Sequence, residues 1–243
     1  MRIIKLNAID STNSFLRQLS AEESVDDFTV VVANYQTDGR GQMGTQWQSQ
    51  NEKNLMFSVF KDIKGLDVRS HFSLSMAVSI AVFEALKVFQ INSLKIKWPN
   101  DILSEQKKIC GILIENVIKQ NKLQSSIIGV GLNVNQTHFN DLPNATSMRS
   151  VSGEKFDREY VLQEILKQLT YYFSLVNSKS YHILKNAYET NLFRKDKPST
   201  FKDTNGNLFS GYIKGVSSSG HLKVLVEDGI IKLFELKDVQ LLF

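Results

Sequence analysis

The sequence has a single cysteine, Cys110, among its 243 residues, so the chain cannot form an internal disulfide. One thiol is typical of proteins in a reducing compartment. No run approaches the ~20 apolar residues that span a bilayer. The first residues, MRIIKLNAIDSTN, contain no apolar stretch of the kind found in export signals. These absences predict a cytoplasmic protein with no membrane-spanning segment.

Metal ligands and basic runs are scarce as well. The four histidines are scattered and the cysteine stands apart from them, so the sequence predicts no metal site made of protein side chains alone. The net charge is +4, yet no run of five or more basic residues occurs. A mildly basic surface explains this charge better than a nucleic-acid-binding tract does.

Predicted strands and helices are interspersed along the chain until the Lys197–Pro198 pair. Apolar, β-branched runs bounded by turn residues predict strands, and longer runs without glycine or proline predict helices. A polar turn at Gln120–Asn121 is expected to join two of the strands into a hairpin. The predicted strands cover 2–9, 29–36, 55–60, 94–98, 108–119 and 122–135, and the predicted helices cover 13–20, 70–90, 157–176 and 180–193.

The tail of the chain has a different character. Short β runs are separated by turn signals at Asn205–Gly206, 217–220 and Asp228–Gly229. Such spacing is typical of a small all-β domain. We therefore predict two domains, residues 1–194 and 195–243.

A glycine-rich loop follows the predicted strand at 29–36. Gly39, Gly41 and Gly44 match G-x-G-x-x-G, which alone is a weak signal. A dinucleotide site needs a helix directly after the loop, but TQWQSQNEKN has no apolar helical stripe. The kinase HRD and DFG sequences are absent, and so is the G-K-[ST] ending of a Walker loop.

The loop still has the composition of an anion site. Glycines let backbone N–H groups approach an anion closely, and Arg40 adds a permanent cation. The structural alternative is a tight turn with a solvated arginine. We expect loop 37–50 to be mobile or disordered without ligand and to close over a bound one.

A second polar segment, KWPND, spans Lys97 to Asp101 at the end of a predicted strand, where side chains are well placed to face a ligand. Lys107–Lys108 follow, and Gly111 lies inside the next strand, which suggests a close approach of ligand or backbone. The alternatives are a solvated lysine, a charged turn and simple packing. We interpret Cys110 as a core residue.

Taken together, these segments resemble the biotin–protein ligase family, and the likeness covers nearly the whole chain. The family's motifs occur in the same order: D-S-T-N, Y-Q-x-x-G-R-G-x-x-G-x-x-W, K-W-P-N-D, K-x-x-G-I-L-x-E and G-x-G-x-N. The ATSM segment at 145–148 and the tail are also similar to the family. The matching residues are Asp10 to Asn13; Tyr35, Gln36, Gly39, Arg40, Gly41, Gly44 and Trp47; Lys97 to Asp101; Lys108, Gly111, Ile112, Leu113 and Glu115; and Gly129, Gly131 and Asn133.

The resemblance implies an α+β fold. A mixed β-sheet with packed helices, like that of class II aminoacyl-tRNA synthetases and biotinyl–lipoyl ligases, would be followed by a small SH3-like β domain. It also implies an enzyme that makes biotinyl-5′-AMP from biotin and ATP with Mg²⁺. The biotin would then pass to a lysine of a biotin carboxyl carrier protein domain.

The resemblance also assigns residues to each ligand. The residues expected to bind biotin are Ser11, Thr12, Asn13, Gln36, Gly39, Arg40, Gly41, Gln42, Lys108 and Gly111. The residues expected to bind the nucleotide are Arg40, Gly44, Trp47, Asn100, Lys108 and Asn133.

Four residues are candidates for the chemistry. Arg40, Lys97 and Lys108 would supply fixed positive charge, with Lys108 at the biotin carboxylate and α-phosphate and Lys97 beside the reacting carbonyl. Asp101 is the candidate to accept the proton of the attacking lysine. The structural alternative for Asp101 is a turn-forming residue after Asn100.

The sequence departs from the family pattern in three places. The family often has arginine where this chain has Gln42 and Thr45, so the anion site would depend more on Arg40, Lys97 and Lys108. The third departure is the absence of a segment for an N-terminal winged helix, so we expect no DNA binding.

Two other functions stay open: a lipoate–protein ligase, and a non-catalytic adenylate sensor or DNA-binding regulator. A homodimer is also possible.

Overall fold

A computed structural model describes residues 1–63, 66–67, 71–119, 122–140 and 142–243. Seven strands form a mixed sheet in the order β1-β2-β3-β7-β6-β5-β4, in which β1 and β2 are parallel and all other neighbours are antiparallel. Its strands are β1 (Ile3–Ile9), β2 (Val30–Gln36), β3 (Leu55–Asp62), β4 (Leu94–Lys97), β5 (Asp101–Ser104), β6 (Lys107–Lys119) and β7 (Lys122–Leu132).

Helices cover both faces of this sheet. Successive strand residues point to opposite faces, and here both faces are buried: Val30 joins the larger core while Val31 joins a smaller one beneath α1. The larger core lies under α2, which is buried around most of its circumference and packs against α4 and α5. The helices are α1 (Thr12–Glu22), α2 (Phe72–Val88), α3 (Met148–Ser152), α4 (Arg158–Asn177) and α5 (Tyr181–Thr190).

The predicted strands and helices of this region are confirmed, and two short elements were missed. Strand β5 was not expected, because only Asn100 and Pro99 separate its first residue from Trp98 and the predicted strand before it. Helix α3 was also unexpected. The predicted turn at Gln120–Asn121 and the predicted helix start at Ser70 lie outside the described residues.

The tail forms a separate antiparallel sheet in the order β11-β10-β9-β8-β12, which confirms the expected α+β fold with a small all-β part. The last strand was not predicted as a separate run. The division of the chain at 194/195 stays a prediction; the second sheet begins at Pro198. Its strands are β8 (Pro198–Asp203), β9 (Leu208–Val216), β10 (Leu222–Val226), β11 (Ile231–Phe234) and β12 (Val239–Leu242).

The two sheets share one hydrophobic core. Phe201, Ile213 and Leu222 of the second sheet belong to the core that also holds α2. The Glu189 carboxylate at the end of α5 accepts a hydrogen bond from the Val216 amide at 2.9 Å. No helix in the described ranges is long and apolar enough to cross a membrane.

Candidate active site

One cavity of about 930 Å³ lies where the start of α1, the glycine loop, β6, β7 and the second sheet meet. The structure brings nearly all the predicted site residues to its wall; Gly39 and Gly44 do not line it. Among the lining residues Asp101 is the acidic one. The predicted residues that line it are Ser11, Thr12, Asn13, Gln36, Arg40, Gly41, Gln42, Trp47, Lys97, Asn100, Asp101, Lys108, Gly111 and Asn133.

At one end of the cavity, neutral polar groups from three elements converge. Ser11 begins α1 by accepting a hydrogen bond from the Ser14 amide, which turns the next two side chains inward. The Gln36 carbonyl oxygen accepts from the Thr12 backbone N–H at 2.8 Å and lies 3.0 Å from the Thr12 hydroxyl. The Ser58 hydroxyl lies 2.7 Å from the Thr12 hydroxyl and 2.6 Å from the Asn13 carbonyl oxygen. We call these four residues, Thr12, Asn13, Gln36 and Ser58, the neutral cluster.

The amide orientations in the neutral cluster are determined by their other partners. The Asn13 nitrogen donates to the Glu115 carboxylate at 2.8 Å, so its oxygen must face Ser58. The Gln36 oxygen accepts from a backbone N–H, so its nitrogen must point the other way. That nitrogen donates to no group in the described part of the chain.

The neutral cluster is therefore one proton short. Three oxygen–oxygen contacts, from Gln36 to Thr12, Thr12 to Ser58 and Ser58 to Asn13, share two hydroxyl protons. One contact has no hydrogen between its oxygens, which leaves an acceptor without a donor. Together with the free Gln36 nitrogen, this end offers a ligand one donor and one acceptor side by side.

Arg40 reaches the cavity wall but is held by an anion of the protein itself. Its guanidinium donates to the Glu115 carboxylate at 2.8 Å and to the Ser14 hydroxyl at 3.3 Å. Arg17 donates to the same Glu115 oxygen at 2.9 Å. Arg40 is therefore not the free, solvated arginine of the structural alternative.

At the other end, Lys108 and Asp101 form an ion pair with Nζ and Oδ1 2.8 Å apart. Strand pairing places them together, because β5 runs antiparallel to β6 with a bulge at this point. Burial lowers the pKa of the nearby Lys97 ammonium; Asp101 opposes this shift and Lys108 adds to it. The Lys97 Nζ lies 4.9 Å from the centre of the Phe243 ring.

The KWPND segment forms the tight turn between β4 and β5 and is held from three sides. The Trp98 indole N–H donates to the Gly220 carbonyl of the second sheet at 2.8 Å, and the Tyr188 hydroxyl donates to the Pro99 carbonyl at 3.0 Å. The Asn100 amide donates to the Ile112 carbonyl. The turn is therefore set by the tertiary structure as well as by its proline.

Both asparagines expected near the nucleotide also have structural partners. Asn100 is buried, and its amide nitrogen donates to the Ile112 carbonyl of β6. The Asn133 amide nitrogen donates to the Thr146 carbonyl at 2.9 Å, which secures the ATSM segment. Their contact with a nucleotide stays a prediction.

Trp47 lines the cavity, and its ring packs against the strands β6 and β7. A Cβ atom added at Gly131 would come within 2.5 Å of the Trp47 ring, and one at Gly111 within 3.2 Å. These strand glycines therefore make the space that the indole occupies. Its Nε1 is buried without a hydrogen-bond partner among the described residues. The predicted stacking of Trp47 on the adenylate stays a prediction.

Sequence reasoning assigned no role to Ser58, Glu115 or Phe243, all of which contact site residues. A signal existed for the first two, since each is a polar residue within an apolar strand run, LMFSVF and GILIE. Phe243 carried no such signal. Cys110 is buried, and burial raises the pKa of its thiol, which confirms that it is a core residue.

The chain is similar to known ligases in sequence and structure. The model of the biotin/lipoate A/B protein ligase family matches residues 6–133. The bifunctional ligase/repressor BirA of Bacillus spizizenii is 31% identical over 244 residues, covering 98% of this chain and 74% of the relative. The biotin–[acetyl-CoA-carboxylase] ligase of Mycobacterium tuberculosis is 32% identical over 162 residues, covering 65% of this chain and 59% of the relative. The biotin protein ligase of Aquifex aeolicus, solved with biotin and ATP, superimposes with a TM-score of 0.81 at 29% identity, covering 99% of this chain and 98% of that one.

Proposed function

This chain belongs to the biotin/lipoate A/B protein ligase family and is an ATP-dependent biotin–protein ligase, and we propose that its cavity is where biotin and ATP become biotinyl-5′-AMP. The observation that carries this proposal is the arrangement of the cavity. A neutral donor–acceptor pair lies at one end, and Lys97, Lys108 and Asp101 lie at the other.

The neutral cluster supports biotin over lipoate. The ureido ring presents a carbonyl acceptor next to an N–H donor, which matches the free Gln36 nitrogen and the one oxygen of the neutral cluster that lacks a donor. A dithiolane ring has neither group, so it would leave these buried polar atoms unpaired at a cost of about 1–3 kcal/mol each. In this pose the carboxylate tail of biotin extends toward the cations.

The first half-reaction joins two anions. A biotin carboxylate oxygen attacks the α-phosphorus of ATP, the bond to the β-phosphate oxygen breaks, and pyrophosphate leaves. Lys108 lies beside the carboxylate and α-phosphate, and Arg40 and the glycine-loop amides add fixed positive charge. Mg²⁺ would enter with the triphosphate and would neutralise further charge on the phosphates.

The second half-reaction needs a neutral amine. About one free lysine in a thousand is neutral near pH 7, so a proton acceptor is required as the amine attacks the anhydride carbonyl. Asp101 takes this proton and AMP leaves with the bonding electron pair. The acceptor is the lysine of a biotin carboxyl carrier protein domain, and the reaction takes place in the cytoplasm.

Incubation with radiolabelled biotin, ATP and a purified carrier domain tests the proposal. We expect labelling by the wild type and a loss of about 100-fold or more in Lys108→Ala, because a charge at the reacting phosphate is removed. Lys107→Ala is the matched control, since Lys107 precedes Lys108 in the chain but is exposed and lies outside the cavity. Lipoate-dependent labelling would favour the lipoate ligase, and binding without labelling would favour the non-catalytic regulator.

A further inference from the structure

Two arginines share one carboxylate at the edge of the cavity. Oε1 of Glu115 accepts from Arg40 at 2.8 Å and from Arg17 at 2.9 Å, while Oε2 accepts from Asn13 at 2.8 Å. The Glu115 side chain is 12% exposed, whereas Arg17 and Arg40 are about half exposed. The carboxylate is therefore fully satisfied and largely covered, and the group as a whole is cationic.

The balance of charge in this group matters to an anionic ligand. An arginine paired one-to-one with a carboxylate presents little net charge to a third group, because the two fields nearly cancel beyond contact distance. A second arginine on the same carboxylate restores a net charge of about +1. Arg17 does not line the cavity, but Arg40 does.

We propose that Arg17 is a charge-compensating positioning residue for the adenylation reaction: it neutralises Glu115, so that Arg40 leaves a net positive charge at the cavity wall that attracts the biotin carboxylate into the cavity. Glu115 meanwhile anchors the glycine loop through Arg40 and the start of α1 through Asn13. This inference rests on the proposed function, because it takes the carboxylate of biotin as the anion that this charge attracts.

Calorimetric titration separates the charge effect from a general structural one. For Arg17→Gln we expect biotin to bind about threefold to fivefold more weakly at low salt, the size of a partly exposed charge interaction. The same variant should bind biotin amide, which lacks the negative charge, as the wild type does. The loss should fade at about 0.5 M salt, where the screening length falls to a few ångströms. Arg17→Lys should restore biotin binding.

The control removes an equal charge near the other end of α1. Arg2 pairs with Glu23 at 3.6 Å, away from the cavity, so Arg2→Gln changes the net charge without touching Glu115. It should leave biotin affinity unchanged. An equal loss in Arg2→Gln, or an equal loss for biotin amide, would overturn the proposal.

The anchoring role has its own readout, which needs no activity. In Glu115→Gln, the loop loses its ionic anchor, so tryptic cleavage after Arg40, followed as the peptide that begins at Gly41, should become about fivefold faster. In Arg17→Gln it should not, since Glu115 still holds Arg40. Unchanged cleavage in Glu115→Gln would refute the anchoring role. If the wild-type protein failed to bind biotin at all, the proposed function would be wrong. The cleavage rates of Glu115→Gln and Arg17→Gln would still test the anchoring role, because they do not depend on biotin.

Discussion

The two ends of the cavity are built in opposite ways. The neutral cluster is buried, uncharged and assembled on α1 and two central strands, with every amide orientation determined by a backbone or carboxylate partner. The cationic end is partly exposed, carries the ion pair of Lys108 and Asp101, and is bordered by Phe243 of the tail. Recognition of a neutral ring needs a rigid template, whereas transfer of a charged group needs cations that remain reachable.

The largest effect is expected at the cationic end of the cavity, where it tests the role of Asp101. Asp101→Asn keeps the shape of the turn but removes the proton acceptor for the attacking lysine. Transfer from preformed biotinyl-5′-AMP to the carrier domain should fall about 100-fold or more, while ATP–pyrophosphate exchange falls much less. Single-turnover transfer and exchange assays measure the two steps. An equal loss in both would assign Asp101 to holding Lys108 instead.

A smaller effect is expected at the neutral cluster. Ser58→Ala removes the hydroxyl that links Thr12 and Asn13, so biotin affinity should fall about tenfold, the equivalent of about 1.4 kcal/mol from a buried hydrogen-bond network. ATP affinity should not change.

The matched control is Ser79→Ala, because Ser79 is a buried serine of α2 outside the cavity whose hydroxyl has no hydrogen-bond partner among the described residues. A cyclic carbamate analogue of biotin, with a ring oxygen in place of one N–H, sharpens the test. The wild type should discriminate against it and Ser58→Ala should not. Equal discrimination by both would remove Ser58 from ureido recognition.

The smallest effect concerns stability. Burial lowers the pKa of Lys97 below its ordinary value of 10.5, so the folded state binds fewer protons than the unfolded state between the two pKa values. Stability should therefore rise with pH through that window. Lys97→Met removes the penalty, and its melting temperature should exceed that of the wild type by a few degrees near pH 7. The gain should shrink as pH approaches 10.5. A gain that is independent of pH would point to packing instead of charge.

The sequence predicted most of the fold because its strands and helices are strongly patterned. The buried run of α2 and the β-branched run of β2 could be recognised without a partner. Strand β5 could not be recognised in this way, because its four residues are too few to show a periodic pattern. They form a strand because they pair with β4 on one side and β6 on the other.

The candidate site was predicted as a set of residues, and the structure adds partners that the sequence did not indicate. The contact of Arg40 with a phosphate or carboxylate of the ligand stays a prediction, and the structure adds an ion pair between Arg40 and Glu115. The amide nitrogens of Asn100 and Asn133 donate to the carbonyl oxygens of Ile112 and Thr146. Such partners are distant in sequence, so no local pattern announces them. The closing of loop 37–50 over a ligand stays a prediction.

By itself the sequence determined which chemical groups are present: a glycine-rich loop with one arginine, a lysine–tryptophan–aspartate turn, and polar residues placed within apolar strands. Only the tertiary structure decided which protons and charges remain free, because that depends on contacts between strands. The Ser58 hydroxyl contacts Thr12 and Asn13, which leaves the neutral cluster one proton short. The Glu115 carboxylate accepts hydrogen bonds from Arg17 and Arg40. In both cases the partners are far apart in the sequence.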